Sequence, residues 1–227
     1  TDNSLSNLSD DIEVIHLDEN YGFGRGYNVG IERCLTADDE YIVLLNYDTI
    51  VTNNFIQSII EKISINGSKY IYGAKILYNN KKDSIWYSGG EVNLAKGIIS
   101  HNNIRENRQS TCLEDQYTDY ITGCCMIMHK DIFFKLEGFD ERFFMYNEDV
   151  DFCLRAKEMG VKSRFLSNVI LFHKVSSSFG GNYSIKKIFM KVKSSYQLFR
   201  KHYSISKSIF LLFIYILRSI FQIKSNR

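Results

Sequence analysis

Residues 41–45, YIVLL, form an unbroken apolar run set between two segments whose apolar residues recur at helical spacing. A strand without polar alternation is of the kind buried on both faces, in a sheet covered by helices. Upstream, 12–17 reads as a short strand, YGFGRG (21–26) as a Gly-rich turn and 28–35 as a helix. Downstream, Asn53 can cap a helix in which Phe55, Ile56, Ile59, Ile60 and Ile63 keep helical spacing, with Asn66 and Gly67 ending it. A strand follows at 69–77, and strand-like composition returns at 119–129. Asp131 then caps a short helix that Gly138 closes. Asn147 caps a helix over 148–159 with Gly160 at its exit, and 164–172 forms a last strand ending at His173. This alternation predicts an α/β domain with a largely parallel sheet flanked by helices. Residues 79–118, polar and irregular, read as an excursion over the sheet where a variable substrate binds.

The composition agrees with an ordinary folded chain. At 227 residues, 44% apolar and 24% charged, it excludes disorder, collagen-like repeats and a multi-span membrane architecture. The formal charge of +2 is a cancellation. Through Glu158 there are 15 Lys+Arg against 26 Asp+Glu, a net of −11; from Met159 onward there are 13 Lys+Arg and no acid. The chain divides into an acidic α/β domain, 1–182, and a basic, apolar helical tail, 183–227. The tail's apolar stretch, 209–223, would be about 22 Å long as a helix against roughly 30 Å of bilayer hydrocarbon. An interfacial helix on an anionic membrane surface is the favoured reading, a buried core helix the alternative. Nucleic acid is not an expected partner, since the apolar run would have no place in a groove. Five cysteines, without a C-x-x-C pair, fit a reduced cytoplasmic setting.

In open α/β sheets ligands collect beyond the carboxyl ends of strands. Asn46 and Asp48 in LLNYDT, His173 in VILFHK, and Asp2 and Asn3 occupy such positions. Each alone also reads as a turn or a hydrogen-bonded residue. Together, a carboxylate and an imidazole at strand ends suit Mg²⁺ or Mn²⁺ better than a closed zinc site. The second cluster is NEDVD, 147–151. Acids in a first helical turn complement the helix dipole, and Asp151 with Arg155 is an ordinary i,i+4 pair. Asp149 falls at the shoulder of the helix, where a carboxylate could act as general base toward a hydroxyl. GFGRG lacks dinucleotide-fingerprint spacing; it reads as a turn, or as a backbone that approaches a phosphate or base.

The order of these motifs resembles the family 2 glycosyltransferases, in the rhamnosyltransferase-like branch that builds bacterial surface polysaccharides. The resemblance runs over about residues 2–180: DN at the start, N-x-G-F-G-x-G-x-N-x-G (20–30), LLN-x-D-T (44–49), TGCCMIMHKDIF (122–133), EGFDERFFMYNEDVDFCLRAKEMG (137–160) and His173. It implies a GT-A fold that takes a sugar, rhamnose or a similar hexose, from a nucleotide-diphosphate donor. Transfer inverts the anomeric carbon and ends on a hydroxyl of a glycan or glycolipid acceptor, on the inner face of the plasma membrane.

The resemblance also implies the residue roles. Asp48 and His173 hold the metal. Asp149 is the catalytic base, with Glu148 beside it. Asp2, Asn3, Phe23, Gly24, Asn28 and Asn46 contact the nucleotide, and Trp86, Gly89, Gly90, Gly123 and Asp151 line the sugar and acceptor side. Two departures stand out. Tyr47 replaces a family proline, and the strand and helix that precede DN in the family are not seen, which leads to an expectation of poor donor binding by this chain. The rival readings are a non-catalytic nucleotide-sugar-binding relative and a GT-A-like sugar nucleotidyltransferase.

Overall fold

The computed structural model describes residues 9, 12–111, 113–174 and 185–225, with side chains to 218. Five strands form the main path of the central sheet: β1 (Tyr41–Leu45), β8 (Cys125–His129), β3 (Tyr70–Tyr78), β9 (Lys162–His173) and β2 (Thr49–Val51), in that spatial order. Two short strands join it, β4 (Ile85–Tyr87) on β3 and β7 (Gln116–Thr118) on β9. The α/β class holds, but the sheet is mixed: β3 and β9 run parallel, and the other pairings among the described residues are antiparallel. Apolar content fixes neither the direction of a strand nor its burial on both faces: β1 ends the strand order, burying Ile42 and Leu44 but leaving Val43 exposed, and the antiparallel partners come back through loops as well as helices.

Strands β3 and β9 are the longest and lie at the centre, where Ile71, Tyr72, Ala74, Ile76, Phe165, Leu166 and Leu171 are fully buried. Their pairing jumps from Ala74–Leu166 to Lys75–Ile170, so residues 167–169 bulge from the ladder. Asp115 secures the bulge. Its carboxylate accepts from the Ser167 amide and hydroxyl at 2.8 Å and from Lys62 at 2.6 Å. The helices are α1 (Phe23–Cys34), α2 (Phe55–Asn66), α3 (Lys130–Lys135), α4 (Glu148–Glu158), α5 (Ile185–His202) and α6 (Ile205–Ser225). The excursion is more ordered than its composition promises: β5 (Gly90–Asn93) and β6 (Ile98–His101) pair as a small antiparallel sheet.

Two local expectations are corrected. Residues 12–17 form no strand, and Ile12, Val14 and Leu17 are exposed, because no neighbour pairs with them among the described residues. The Gly-rich turn is the first turn of α1 itself, which starts at Phe23. Gly22 supplies the entry, with φ +86° and no room for a Cβ, which would lie 2.1 Å from the Phe144 carbonyl oxygen.

The tail does not stand apart. On α5, Leu198 enters the main core and Phe199, Ser194 and Ser195 are buried. Lys201 pairs with Asp140 and Asp151. Arg142, followed by Lys201, holds the Asp140 carboxyl well below the usual carboxylate range. Helix α6 lays Leu211 against Gly97 and leaves Ile205, Ile209, Phe210 and Phe213 exposed. Among the described residues no helix is long and apolar enough to cross a membrane.

Candidate active site

Strand pairing alone assembles the first cluster. Thr49 on β2 faces His173 at the end of β9, which carries Asp48, one residue earlier, to the imidazole. Asp48 Oδ1 lies 3.1 Å from His173 Nε2, a charge-pair contact without hydrogen-bond alignment. Asp48 Oδ1 and His173 Nδ1 are both buried and have no hydrogen-bond partner among the described residues. Burial pulls the His173 pKa below its ordinary value, opposed by the charge of Asp48. Trp86 packs edge-to-face on His173 at 4.5 Å and on His101 at 4.7 Å. His101 was not foreseen. It donates from Nδ1 to the Trp86 carbonyl at 3.1 Å, and enclosure pushes its pKa down to about 4, so it is a neutral ring at pH 7. It lies in the irregular excursion, where no spacing singled it out.

The second cluster stands at the start of α4. Asp149 accepts from the amides of Gly123 at 2.9 Å and Val150 at 2.8 Å, so both oxygens are oriented. Glu148 is buried, and its Oε2 has no partner among the described residues. Burial raises both carboxyls, Glu148 the further, since the charge of Asp149 also opposes its ionisation. Two such groups titrate as a pair. The amides on Asp149 favour its anion, so of the two carboxyls Asp149 ionises the more readily.

The turn at 122–124 joins the clusters. Gly123 donates to Asp149, while the Cys124 carbonyl accepts from Asn46 at 3.1 Å, at the end of β1. The Cys124 thiol is raised well above its ordinary value by burial, and further by the charges of Cys125, Asp48 and Asp149. A Cβ on Gly123 would sit 2.7 Å from the Phe23 ring, so only glycine lets Phe23, Asp149 and the turn converge. The turn thus contacts Asp149, Asn46 and Phe23, while Trp86 packs on His173, the partner of Asp48.

Other candidates are placed differently. Asn28 is buried, donating to the Phe139 carbonyl at 2.9 Å and accepting from the Phe139 amide at 2.8 Å. Its amide ties α1 to the loop before α4 and is not turned toward a ligand. Gly24 is packed against Phe139, where a Cβ would lie at 2.9 Å. Asp151 is 1% exposed and committed to Arg155 and Lys201, so it is a structural ion pair and not an acceptor contact. Gly89 packs against Thr118, and Gly90 lies beneath the Tyr120 ring. Gly90 also lines an open groove of about 560 Å³ with Tyr117, Asp119, Lys157 and Lys162, at the end of α4 away from Asp149. Asp2 and Asn3 lie outside the described residues.

No three His, Cys, Asp or Glu side chains cluster as metal ligands among the described residues. Asp48 and His173 offer two donors, one of them carrying an orphaned buried oxygen. A carboxylate with one imidazole would suit a divalent ion such as Mn²⁺, whose remaining positions would be taken by phosphate oxygens and water. An α/β sheet with a carboxylate and an imidazole at neighbouring strand ends, and a buried carboxylate pair tied to the same turn, has the layout of an enzyme that binds its ligand beyond the strand ends.

The chain belongs to glycosyl transferase family 2, whose sequence model matches residues 2–136, a span that includes Asp48 and Gly123 and stops before α4. It is 28% identical over 155 residues to the rhamnosyltransferase WbbL of Escherichia coli (strain K12), covering 64% of this chain and 58% of that protein. It is 26% identical over 208 residues to the low-salt glycan biosynthesis hexosyltransferase Agl10 of Haloferax volcanii, covering 88% and 62%. A shorter match, 37% over 60 residues, covers 26% of this chain and 20% of the N-acetylglucosaminyl-diphospho-decaprenol L-rhamnosyltransferase of Mycobacterium tuberculosis. Solved structures share the fold. GalNAc-T7 with UDP, GalNAc and Mn²⁺ matches with TM-score 0.57 at 14% identity, over 83% of this chain and 38% of its own. S. aureus TarS matches with TM-score 0.51 at 16% identity, over 95% and 35%. The fold is GT-A-like, and the chain spans about 60% of the length of WbbL and Agl10.

Proposed function

We propose that this protein transfers a sugar, rhamnose or a similar hexose, from a nucleotide-diphosphate donor to a hydroxyl of a lipid-linked surface-polysaccharide precursor, inverting the anomeric carbon. The observation that supports this reading is the turn at 122–124, whose Gly123 amide orients the Asp149 carboxylate while its Cys124 carbonyl accepts from Asn46, two residues before Asp48. Asp149 takes the acceptor proton as the oxygen–C1 bond forms and the bond from C1 to the phosphate oxygen breaks, releasing the nucleoside diphosphate. Glu148, holding its proton, donates a hydrogen bond to the acceptor. Asp48 and His173 would hold a divalent ion, which supplies Lewis-acid neutralisation of the leaving diphosphate. The pairing of one base with one leaving-group seat supports single displacement, and so inversion, over a two-carboxylate retaining route.

The names of WbbL and of the mycobacterial rhamnosyltransferase support rhamnose as donor sugar and a diphospho-polyprenol acceptor. The tail supports a peripheral site on an anionic cytoplasmic membrane face. Ile209, Phe210 and Phe213 project from α6, and no acid follows Glu158 in the sequence. The test is to supply the protein at its full encoded length with dTDP-rhamnose, UDP-galactose and related donors, Mn²⁺, and N-acetylglucosaminyl-diphospho-polyprenol. We expect one donor to give a glycosylated lipid of inverted configuration. Retained configuration, or no transfer from any donor, would overturn the reading.

A further inference from the structure

Helix α4, which carries Glu148 and Asp149, starts from a demanding backbone. Tyr146 and Asn147 are consecutive non-glycine residues at φ +70° and +60°, in the left-handed region that side chains disfavour. Asn147 makes no side-chain cap on the helix it precedes. Its amide turns instead to α5, where Nδ2 donates to Ser194 Oγ at 3.1 Å and to Ser195 Oγ at 3.2 Å. The Ser194 hydroxyl donates in turn to the Tyr146 carbonyl. Both serines are buried, at 2% and 0% exposure, where apolar residues would dock α5 without the desolvation of two hydroxyls. Their bonds go to the two strained residues, while Leu198 and Phe199 supply the apolar packing of the same helix.

We infer that Ser194 and Ser195 are positioning residues for Asp149: α5 holds Tyr146 and Asn147 in left-handed form, and this fixes where the first turn of α4 presents its carboxylates against Gly123. The inference rests on the proposed role of Asp149 and assigns the tail a part in catalysis besides any role at a membrane. A displacement of about 1 Å at a catalytic group lowers turnover by up to about a hundredfold.

Two full-length variants test it. Ser194→Ala with Ser195→Ala removes the holding hydroxyls. Asn147→Gly cuts the link from the other side while relieving the positive-φ strain, which offsets part of the cost of leaving two buried hydroxyls without their donor. Both should lower kcat about ten- to a hundredfold with the donor KM within about twofold of wild type, and both should remain cooperatively folded at the assay temperature, as their melting curves will show. Hydrogen exchange at the Gly123 amide, whose acceptor is Asp149, gives a readout without substrate and should quicken about tenfold in both variants. Unchanged Gly123 protection, or wild-type kcat in Asn147→Gly, overturns the inference. Absence of transfer by the wild type with every donor strikes the transferase reading instead, and the exchange result still decides the positioning role.

Discussion

Asp48 faces an imidazole, whereas Asp149 faces a second carboxyl one residue away. Both sit in low-dielectric surroundings, yet the consequences are opposite. The first pair attracts itself and leaves orphaned atoms that suit a cation and its phosphate ligands. The second pair repels itself when ionised and therefore keeps a proton. On the proposed reading, one end of the site would hold charge on a leaving group and the other would accept a proton from an attacking one.

Substitutions that erase one side of this contrast should have unequal effects. The largest is expected from Asp149→Asn, which keeps the shape and removes the base: transfer should fall about 10³-fold while nucleotide binding, followed by calorimetry, stays at wild-type strength. Next comes Asp48→Asn, with a loss of about 10²-fold in kcat/KM. That loss should be accompanied by weaker nucleotide binding, so the two variants separate the two ends.

Asn28→Ala should act on stability instead. Stranding the Phe139 amide and carbonyl costs about 1–3 kcal/mol, a drop of several degrees in Tm with donor KM unchanged. A raised KM at wild-type Tm would return Asn28 to the nucleotide site.

The smallest effect is the pH dependence carried by Glu148. Its folded pKa is raised above the unfolded value of about 4.3, so above that pH the folded state keeps a proton that the unfolded state releases. Stability is therefore lost as pH rises from the unfolded toward the folded pKa. Glu148→Gln should match wild-type Tm near pH 4 and exceed it at pH 8. An equal Tm at both would mean that Glu148 is ionised in the folded protein.

These assignments were unequally legible in the chain. Asp48 and His173 could be read because strand ends announce themselves through apolar runs, and ligands gather at such ends. Asp149 could be read from its place in a helix's first turn. Asn28 misled because an Asn within a Gly-rich stretch looks free, and only the return of the loop at Phe139, 111 residues on, consumes its amide. Asp151 misled in the same way, since Lys201 arrives from a helix 50 residues later. His101 and the paired serines of α5 carried no local signal, because their roles depend on which turn or ring the fold sets against them. Strand direction was also hidden: a buried strand has the same composition whether its neighbour runs with it or against it.

The measurement closest to the central claim is the binding of UDP and dTDP to the wild-type protein with Mn²⁺ and with EDTA. One nucleoside diphosphate should raise the melting temperature by several degrees in Mn²⁺ and leave it unmoved in EDTA, with the shift abolished by Asp48→Asn. An equal shift in EDTA, or one that survives in Asp48→Asn, would contradict the assignment of Asp48 and His173 to the donor end.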